Sequence, residues 1–300
     1  MKYIEALIVN AFTKNNAGGS PTGVVLNATG LNDLQMQSIA KQLDTSHTAF
    51  AFEEVTDKTG VSVRFFTRNN EILNCGHGTI AMHYARAKHL QLDGNLSLNQ
   101  NIKEGIQPIQ IIKEGNEFVI YLQQNEIRFT TVTEECITKI LKALKIQADD
   151  LAIEMPVILA SPGSNRFLVG VKSNKVLRKI EPDFEQLTQV CKEQNPIGCF
   201  IYCLDETDDK FAATARMFAP SIGVNEDIIN GNSSGCLGEY LLRMNGNEHL
   251  ALSVYQGQQF NQEGEVKVMV SKMNDRYHTV IGGTAVITKK LLLELHTDYP

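Results

Sequence analysis

The second half of this 300-residue chain repeats the first, and that repeat limits the possible folds more than any other feature. Arg64-Phe65-Phe66-Thr67 leads to Glu71 and on to Cys75-Gly76-His77-Gly78-Thr79. Arg216-Met217-Phe218-Ala219 leads to Glu226-Asp227 and on to Asn230-Gly231-Asn232-Ser233-Ser234-Gly235. Each polar, glycine-bearing loop runs into a helix-like stretch, residues 80–85 and 236–241. A repeat offset by about half the chain predicts two similar lobes facing each other. Two glycine loops that each open a helix predict a site for a small anion between them.

The flanking patterns repeat in the same order. Residues 3–9 and 23–26 read as strands, and 31–43 carry a helical period with Asn32 as N-cap. Strand patterns at 48–52 and 61–66 follow. The second half shows strands at 157–160 and 167–171, a helix at 183–192, and strands at 198–203 and 214–218. Between the halves lie alternating strands over 97–123 and an amphipathic helix over 134–148, with closing strands at 266–270 and 280–288. The expected fold is α+β, with two pseudo-symmetric lobes that each wrap a strongly curved sheet around a central helix. Residues 1–115 form the N-terminal lobe, completed by 285–300, and 116–284 form the C-terminal lobe.

Composition narrows the class of partner. With 43% hydrophobic and 21% charged residues the chain reads as a globular protein. A net charge of −6 without a basic run argues against nucleic acid. No apolar stretch approaches the ~20 residues that cross a bilayer, and the N-terminus begins as a strand without a secretory pattern. None of the six cysteines forms a Cys-x-x-Cys pair, so no structural zinc site is expected. The expectation is a reduced, cytoplasmic protein. Cys199 and Cys203 fall on one face of a strand, as buried small hydrophobes.

Taken together, the motifs resemble those of the PhzF-like (phenazine biosynthesis) isomerases, relatives of diaminopimelate epimerase and proline racemase. The resemblance rests on Ala11-Phe12-Thr13, Gly19-Ser20-Pro21-Thr22-Gly23, Ser46-His47-Thr48, Cys75-Gly76-His77-Gly78-Thr79, Arg216-Met217-Phe218-Ala219-Pro220, Glu226-Asp227 with Asn230-Gly231-Asn232, and Gln256-Gly257. It implies a diaminopimelate epimerase-like fold, a small anionic metabolite bound between the lobes, no metal or organic cofactor, and a homodimer. Mapped residue by residue, it implies His47, Asp227 and His77 as catalytic positions. It implies Ser20, Ser46, Cys75, Gly76, Gly78, Thr79, Gly231, Asn232 and Ser233 as substrate-binding ones.

Departures from the family pattern leave three readings open. The family's usual Ser-Glu-Thr, whose Glu is the acid/base, is here Ser46-His47-Thr48. Imidazole can both take and return a proton, so His47 is compatible with a proton-moving isomerase. A site that has lost catalysis and binds a small anion is equally compatible. Cys75, at a helix start that favours thiolate, opens a third reading as the proton-transferring thiol of a racemase. Its counterpart is Asn230, however, and Cys236 lies too far into the following helix to replace it.

Overall fold

The computed structural model describes residues 2–52, 60–205 and 211–295. They form two compact units, residues 1–123 with 282–300, and residues 124–281. The first boundary falls after residue 123 rather than 115, because the strand over 117–123 pairs within the first unit. The last five residues of the expected 285–300 segment lie outside the described residues.

In the first unit the order is β1 (Lys2–Thr13), β2 (Ser20–Val25), α1 (Asp33–Leu43), β3 (His47–Phe52), β4 (Gly60–Phe66), β5 (Glu71–Ile72), α2 (Gly76–His89), β6 (Leu96–Ile102), β7 (Gly105–Glu114) and β8 (Glu117–Gln123). The second contains β9 (Arg128–Thr131), α3 (Glu134–Leu144), β10 (Ile158–Ser161), β11 (Asn165–Gly170), α4 (Asn174–Lys179), α5 (Phe184–Gln194), β12 (Pro196–Asp205), β13 (Phe211–Ala219), β14 (Val224–Asp227), α6 (Gly231–Asn245), β15 (His249–Gln256) and β16 (Gly264–Met273). The final strand, β17 (Arg276–Leu295), begins in the second unit and ends in the first. Asn274 and Asp275 join it to β16 with positive φ at both positions, the backbone of a tight two-residue hairpin.

The sequence repeat is present as repeated pairing. In the first unit β2 and β3 are parallel, β3 and β4 antiparallel, β4 and β6 parallel, and β6 and β7 antiparallel. In the second, β11 and β12, β12 and β13, β13 and β15, and β15 and β16 follow the same sequence of directions. The first unit closes completely: β1 pairs with β2 on one side and β17 on the other, and β17 also pairs with β8. Closure leaves no strand edge in that eight-stranded ring.

Each unit buries a helix against the inner face of its sheet. α2 packs on β1, β2, β3, β7 and β8, and residues 77–85 are all buried. α6 packs on β11, β15 and β16 and is buried from Ser233 through Leu242. A second helical layer covers the outer face. Met36, Ile39, Ala40 and Leu43 of α1 pack against Val25, Phe50 and Phe66. α3 and α5 pack against Phe167, Val169, Ile201 and Phe218, on the face that also carries Cys199 and Cys203. Covered on both faces, the strands β3 and β12 are continuous buried runs rather than alternating ones.

Local signals fix the outer helices. Asn32 caps α1 through a full capping box with Gln35, each side chain accepting the other's backbone N–H. Asp183 caps α5 and accepts the Gln186 N–H. The amphipathic helix after residue 134 stops at Leu144, four residues before its expected end, because Lys145 turns left-handed.

Two features govern stability. The first is a repeated ion pair. Arg64 makes a two-pronged contact with Glu71, Nε–Oε1 and Nη2–Oε2 both at 2.7 Å. Arg216 does the same with Glu226 at 2.8 Å. Each guanidinium also lies over a phenylalanine two residues on, Phe66 or Phe218. The pairs differ in burial: Arg216 is 7% exposed and also donates to the carbonyls of Leu177 and Ile180, whereas Arg64 is 26% exposed. Arg216→Met is therefore expected to cost about 3 kcal/mol, by stranding the partly buried Glu226 carboxylate and the carbonyls of Leu177 and Ile180 together. Arg64→Met should cost about 1 kcal/mol or less. Urea denaturation of the two variants checks this ordering.

The second feature is a polar chain inside the first unit. His83, fully buried on α2, lies 2.9 Å from Gln100 Oε1, to which its Nε2–H donates. Gln100 in turn donates to Thr79 Oγ1 and Gln107 Oε1. Burial outweighs the Gln100 contact and pushes His83 down to about 3. The folded protein then keeps His83 neutral while the unfolded chain protonates it below about pH 6.5, so stability falls as pH drops from there toward 3. The expected slope from this one group is about 1.4 kcal/mol per pH unit. Comparison of pH-dependent unfolding midpoints for wild type and His83→Gln should show a shallower acid limb in the variant.

Candidate functional site

The geometry of the site begins with how β3 and α2 start. The Thr45 hydroxyl donates to the His47 carbonyl at 2.8 Å and accepts the Gly23 N–H at 3.1 Å, which fixes the chain entering β3 beside β2. His47 is thereby the first residue of β3, opposite Thr22. Its imidazole is half-buried and stacks on that of His77, with centroids 5.4 Å apart and planes 8° from parallel. On its other side, Nδ1 is hydrogen-bonded to the exposed Ser46 hydroxyl at 3.1 Å, with the donor set by the tautomer. Loss of hydration, reinforced by the neighbouring His77 ring, pushes His47 down to about 3. At neutral pH it is an uncharged imidazole with a lone pair to offer.

Cys75 is the N-cap of α2, with its Sγ accepting the Gly78 N–H at 3.3 Å. The helix consequently begins at Gly76, so residues 76–79 are its first turn rather than a loop that precedes it. The same correction holds in the second unit, where α6 begins at Gly231 and the expected loop 231–235 is helical. A thiol and a carboxamide supplied the caps, and glycines inside both turns disguised the helix starts. Those glycines answer to packing. A Cβ on Gly78 would lie 2.6 Å from the Phe65 ring, and one on Gly235 would lie 1.8 Å from Gln124 Oε1. Both positions are closed by the protein's own side chains.

Phe12 supports the cluster from the opposite side. It sits at an irregularity of the β1–β17 pairing between Ala11 and Thr13 with φ of 59°, a conformation that costs a bulky residue energy. The bulge presses the buried Phe12 ring edge-on to His77 at 5.5 Å and 84°. Gly283 makes the room, since a Cβ there would meet the Phe12 ring at 2.6 Å. The motif Ala11-Phe12-Thr13 and the pair Gly282-Gly283 carried this signal in the sequence, but only the bulge reveals what they do.

The expected site residues thus separate into groups. His47, Ser46, Cys75 and His77 come together at the N-terminal turn of α2 with Gly76, and one donor atom each from His47, Cys75 and His77 lie within 4.8 Å of one another. Thr79 does not line this cluster: fully buried, its hydroxyl accepts from Gln100 in the polar chain described above. Ser20 is buried at the head of β2, opposite Ala11.

In the second unit, Asn230 caps α6 by accepting the Ser233 N–H at 2.9 Å and donates from Nδ2 to Asp227 at 3.0 Å. Its own N–H donates to Gln256, which also donates to Ser234. Asn232 accepts from Gln124 Nε2 at 3.1 Å, and the buried Ser233 hydroxyl turns toward Met217. Gln124 gave no signal in the sequence. The two frames superpose by register, Phe50 opposite Arg64 and Ile201 opposite Arg216. The counterparts of His47, Cys75 and His77 are therefore Gly198, Asn230 and Asn232. No second thiol or imidazole matches the first set, and Cys236 is buried within α6, which removes the symmetric two-thiol arrangement.

The sequence matches the family model described as phenazine biosynthesis-like protein over residues 9–290. The chain belongs to this PhzC-PhzF family. This PhzC-PhzF protein is 36% identical over 298 residues to an uncharacterized isomerase of Clostridium acetobutylicum, covering 96% of this chain and 97% of that one. Its fold matches the crystal structure of a PhzF-family phenazine biosynthesis protein of Bacillus anthracis with a TM-score of 0.88 at 30% identity, over 98% and 100% of the two chains. A probable proline racemase of Agrobacterium radiobacter shares the fold alone, with a TM-score of 0.61 at 10% identity, over 99% and 94% of the chains. The α+β architecture is thus that of the diaminopimelate epimerase-like proteins.

The packing role of the first-turn glycine is testable. Gly→Ala inside a helix ordinarily stabilises by about 1 kcal/mol. Gly78→Ala should instead destabilise this protein by about 1–3 kcal/mol, because the new methyl overlaps Phe65. Thermal unfolding compared with wild type reads out the sign.

Proposed function

We propose that this protein is a cofactor-independent isomerase that moves a proton on a small carboxylated metabolite, with His47 as the base. The observation that carries the reading is the neutral His47 imidazole, held through Nδ1 by Ser46 and stacked on His77 at the N-terminal turn of a buried helix. A base that removes a proton from carbon must be unprotonated and positioned; this imidazole is unprotonated at neutral pH and held by Ser46 and His77. The carbanion so formed is stabilised by delocalisation into the adjacent carboxylate. The first backbone N–H groups of a helix have no partner within it and carry its positive end, so the turn at Gly76 and His77 favours an anion there. His77 then acts as the proton relay, and the family pattern supports giving Asp227 the second proton-handling role. The isomerase names of the relatives support the same reaction class.

Proton NMR in D2O, with a panel of amino acids, cyclic hydroxy acids and anthranilate-like acids, tests the reading. One substrate is expected to lose a single C–H signal in the presence of the protein. His47→Ala should slow that loss by about 10²–10⁴-fold, the usual contribution of a positioned base. His47→Glu should retain part of the rate. Exchange that proceeds at the wild-type rate in folded His47→Ala would remove His47 from the chemistry.

A further inference from the structure

His47, Cys75 and His77 carry more chemistry than proton transfer uses. They reach one place from two elements, the first residue of β3 and the cap and first turn of α2. Two imidazole nitrogens and a thiol sulfur within 4.8 Å of one another are the donor set of late first-row divalent ions, zinc foremost. In a tetrahedral zinc site such donors sit roughly 3.5 Å apart, given Zn–N near 2.0 Å and Zn–S near 2.3 Å. The set needs to close by about 1 Å, a movement that the side-chain torsions of the half-buried His47 can supply against the braced His77. Among the described residues this is the one group of three or more His, Cys, Asp or Glu side chains so arranged.

Three further observations match what a metal requires. Ser46 engages Nδ1 of His47, which leaves Nε2 for an ion; metal-bound histidines are oriented through their other ring nitrogen in this way. The Cys75 sulfur accepts the Gly78 N–H at a helix N-terminus, a place that favours negative charge on sulfur. His77 is braced by the Phe12 edge, so its ring direction is fixed before any ion arrives. The exposed Ser46 and half-buried His47 mark the side from which an ion enters.

We propose that His47, Cys75 and His77 form a three-ligand site for a zinc-class divalent ion, with a fourth position open. The site is single, because the matched positions of the second unit are Gly198, Asn230 and Asn232. Its relation to the proposed proton transfer is competitive. The lone pair that would bind the ion is the one that would take the proton, so an occupied site is closed to His47 base chemistry.

The test is titration of the reduced, metal-stripped full-length protein with Co(II) under anaerobic conditions, read by absorption spectroscopy. The expected result is one equivalent bound, with visible ligand-field bands of low coordination number and a near-ultraviolet thiolate-to-cobalt charge-transfer band. Zn(II) should bleach both bands stoichiometrically. Cys75→Ser keeps an oxygen for the helix cap and should abolish the charge-transfer band, and His77→Gln should weaken binding at least tenfold. Cys136→Ser, outside the cluster, should change neither.

Circular dichroism of each variant separates lost ligation from lost folding, and His47→Gln supplies a second variant should one of them unfold. Absence of cobalt bands at millimolar Co(II), or a charge-transfer band that survives in Cys75→Ser, overturns the site. The readout does not depend on activity: cobalt binding together with wild-type C–H exchange by metal-free His47→Ala would leave the metal site standing and His47 refuted as the base, and no cobalt binding together with exchange that slows in His47→Ala would do the opposite.

Discussion

A helix enclosed by its own sheet is the constraint on which the rest of this structure depends. α2 has no solvent face through most of its length, so it cannot be amphipathic, and its sequence is not. Polar groups that it carries inward call for partners from the strands. His83 Nε2 and Thr79 find them through Gln100, which links them to Gln107 across β6 and β7, while His83 Nδ1 is buried without one. Small residues are required wherever a strand side chain crosses the axis, as Phe65 does at Gly78. Enclosure also dictates where chemistry is possible. The helix flanks are filled, and polar side chains gather at its N-terminal turn, where the buried Cys75 and His77 meet the half-buried His47 and the exposed Ser46.

The two units show how a repeated frame separates from repeated chemistry. The paired directions of strands, the two-pronged arginine–glutamate contacts, the phenylalanine beneath each guanidinium and the side-chain cap of each inner helix all occur twice. These are the parts that hold each sheet in shape. The reactive groups occur once. Where the first unit has imidazole, thiol and imidazole, the second has glycine and two carboxamides. At Gly198 no side chain can enter without displacing backbone, since a Cβ would lie 1.7 Å from the Phe218 carbonyl oxygen. Divergence at these positions left the ion pairs and caps intact, so it cost the frame nothing.

Much of this was legible in the sequence because it is written in local rules. The strand order, the Asn32 cap, the shared face of Cys199 and Cys203 and the correspondence of Arg64 with Arg216 follow from periodicity, capping chemistry and the internal repeat. The start of each inner helix was not legible. Glycine at Gly76, Gly78, Gly231 and Gly235 reads as loop by propensity, and the tertiary packing that demands it is invisible in one dimension. The meeting of His47 with His77 depends on β3 lying beside α2 after 29 intervening residues of chain, and the role of Phe12 depends on a bulge. Thr79 entered the expected substrate-binding set through the family resemblance, and its place on α2 points its hydroxyl to Gln100 in the core.

β17 has a consequence for how the chain is made. The second unit is continuous in sequence, but the first is built from both ends, with Lys2 of β1 opposite Leu295 of β17. During synthesis β1 therefore waits for a partner that emerges only after the whole second unit, and until then the ring is an open sheet with an unpaired edge. The second unit can mature while the first is still incomplete, which makes the N-terminal half the slow and association-prone part of biogenesis. Because α2 lies inside that ring, the cluster at its N-terminal turn is assembled only when the last strand closes, so a truncated chain would carry all of its reactive residues and no finished site.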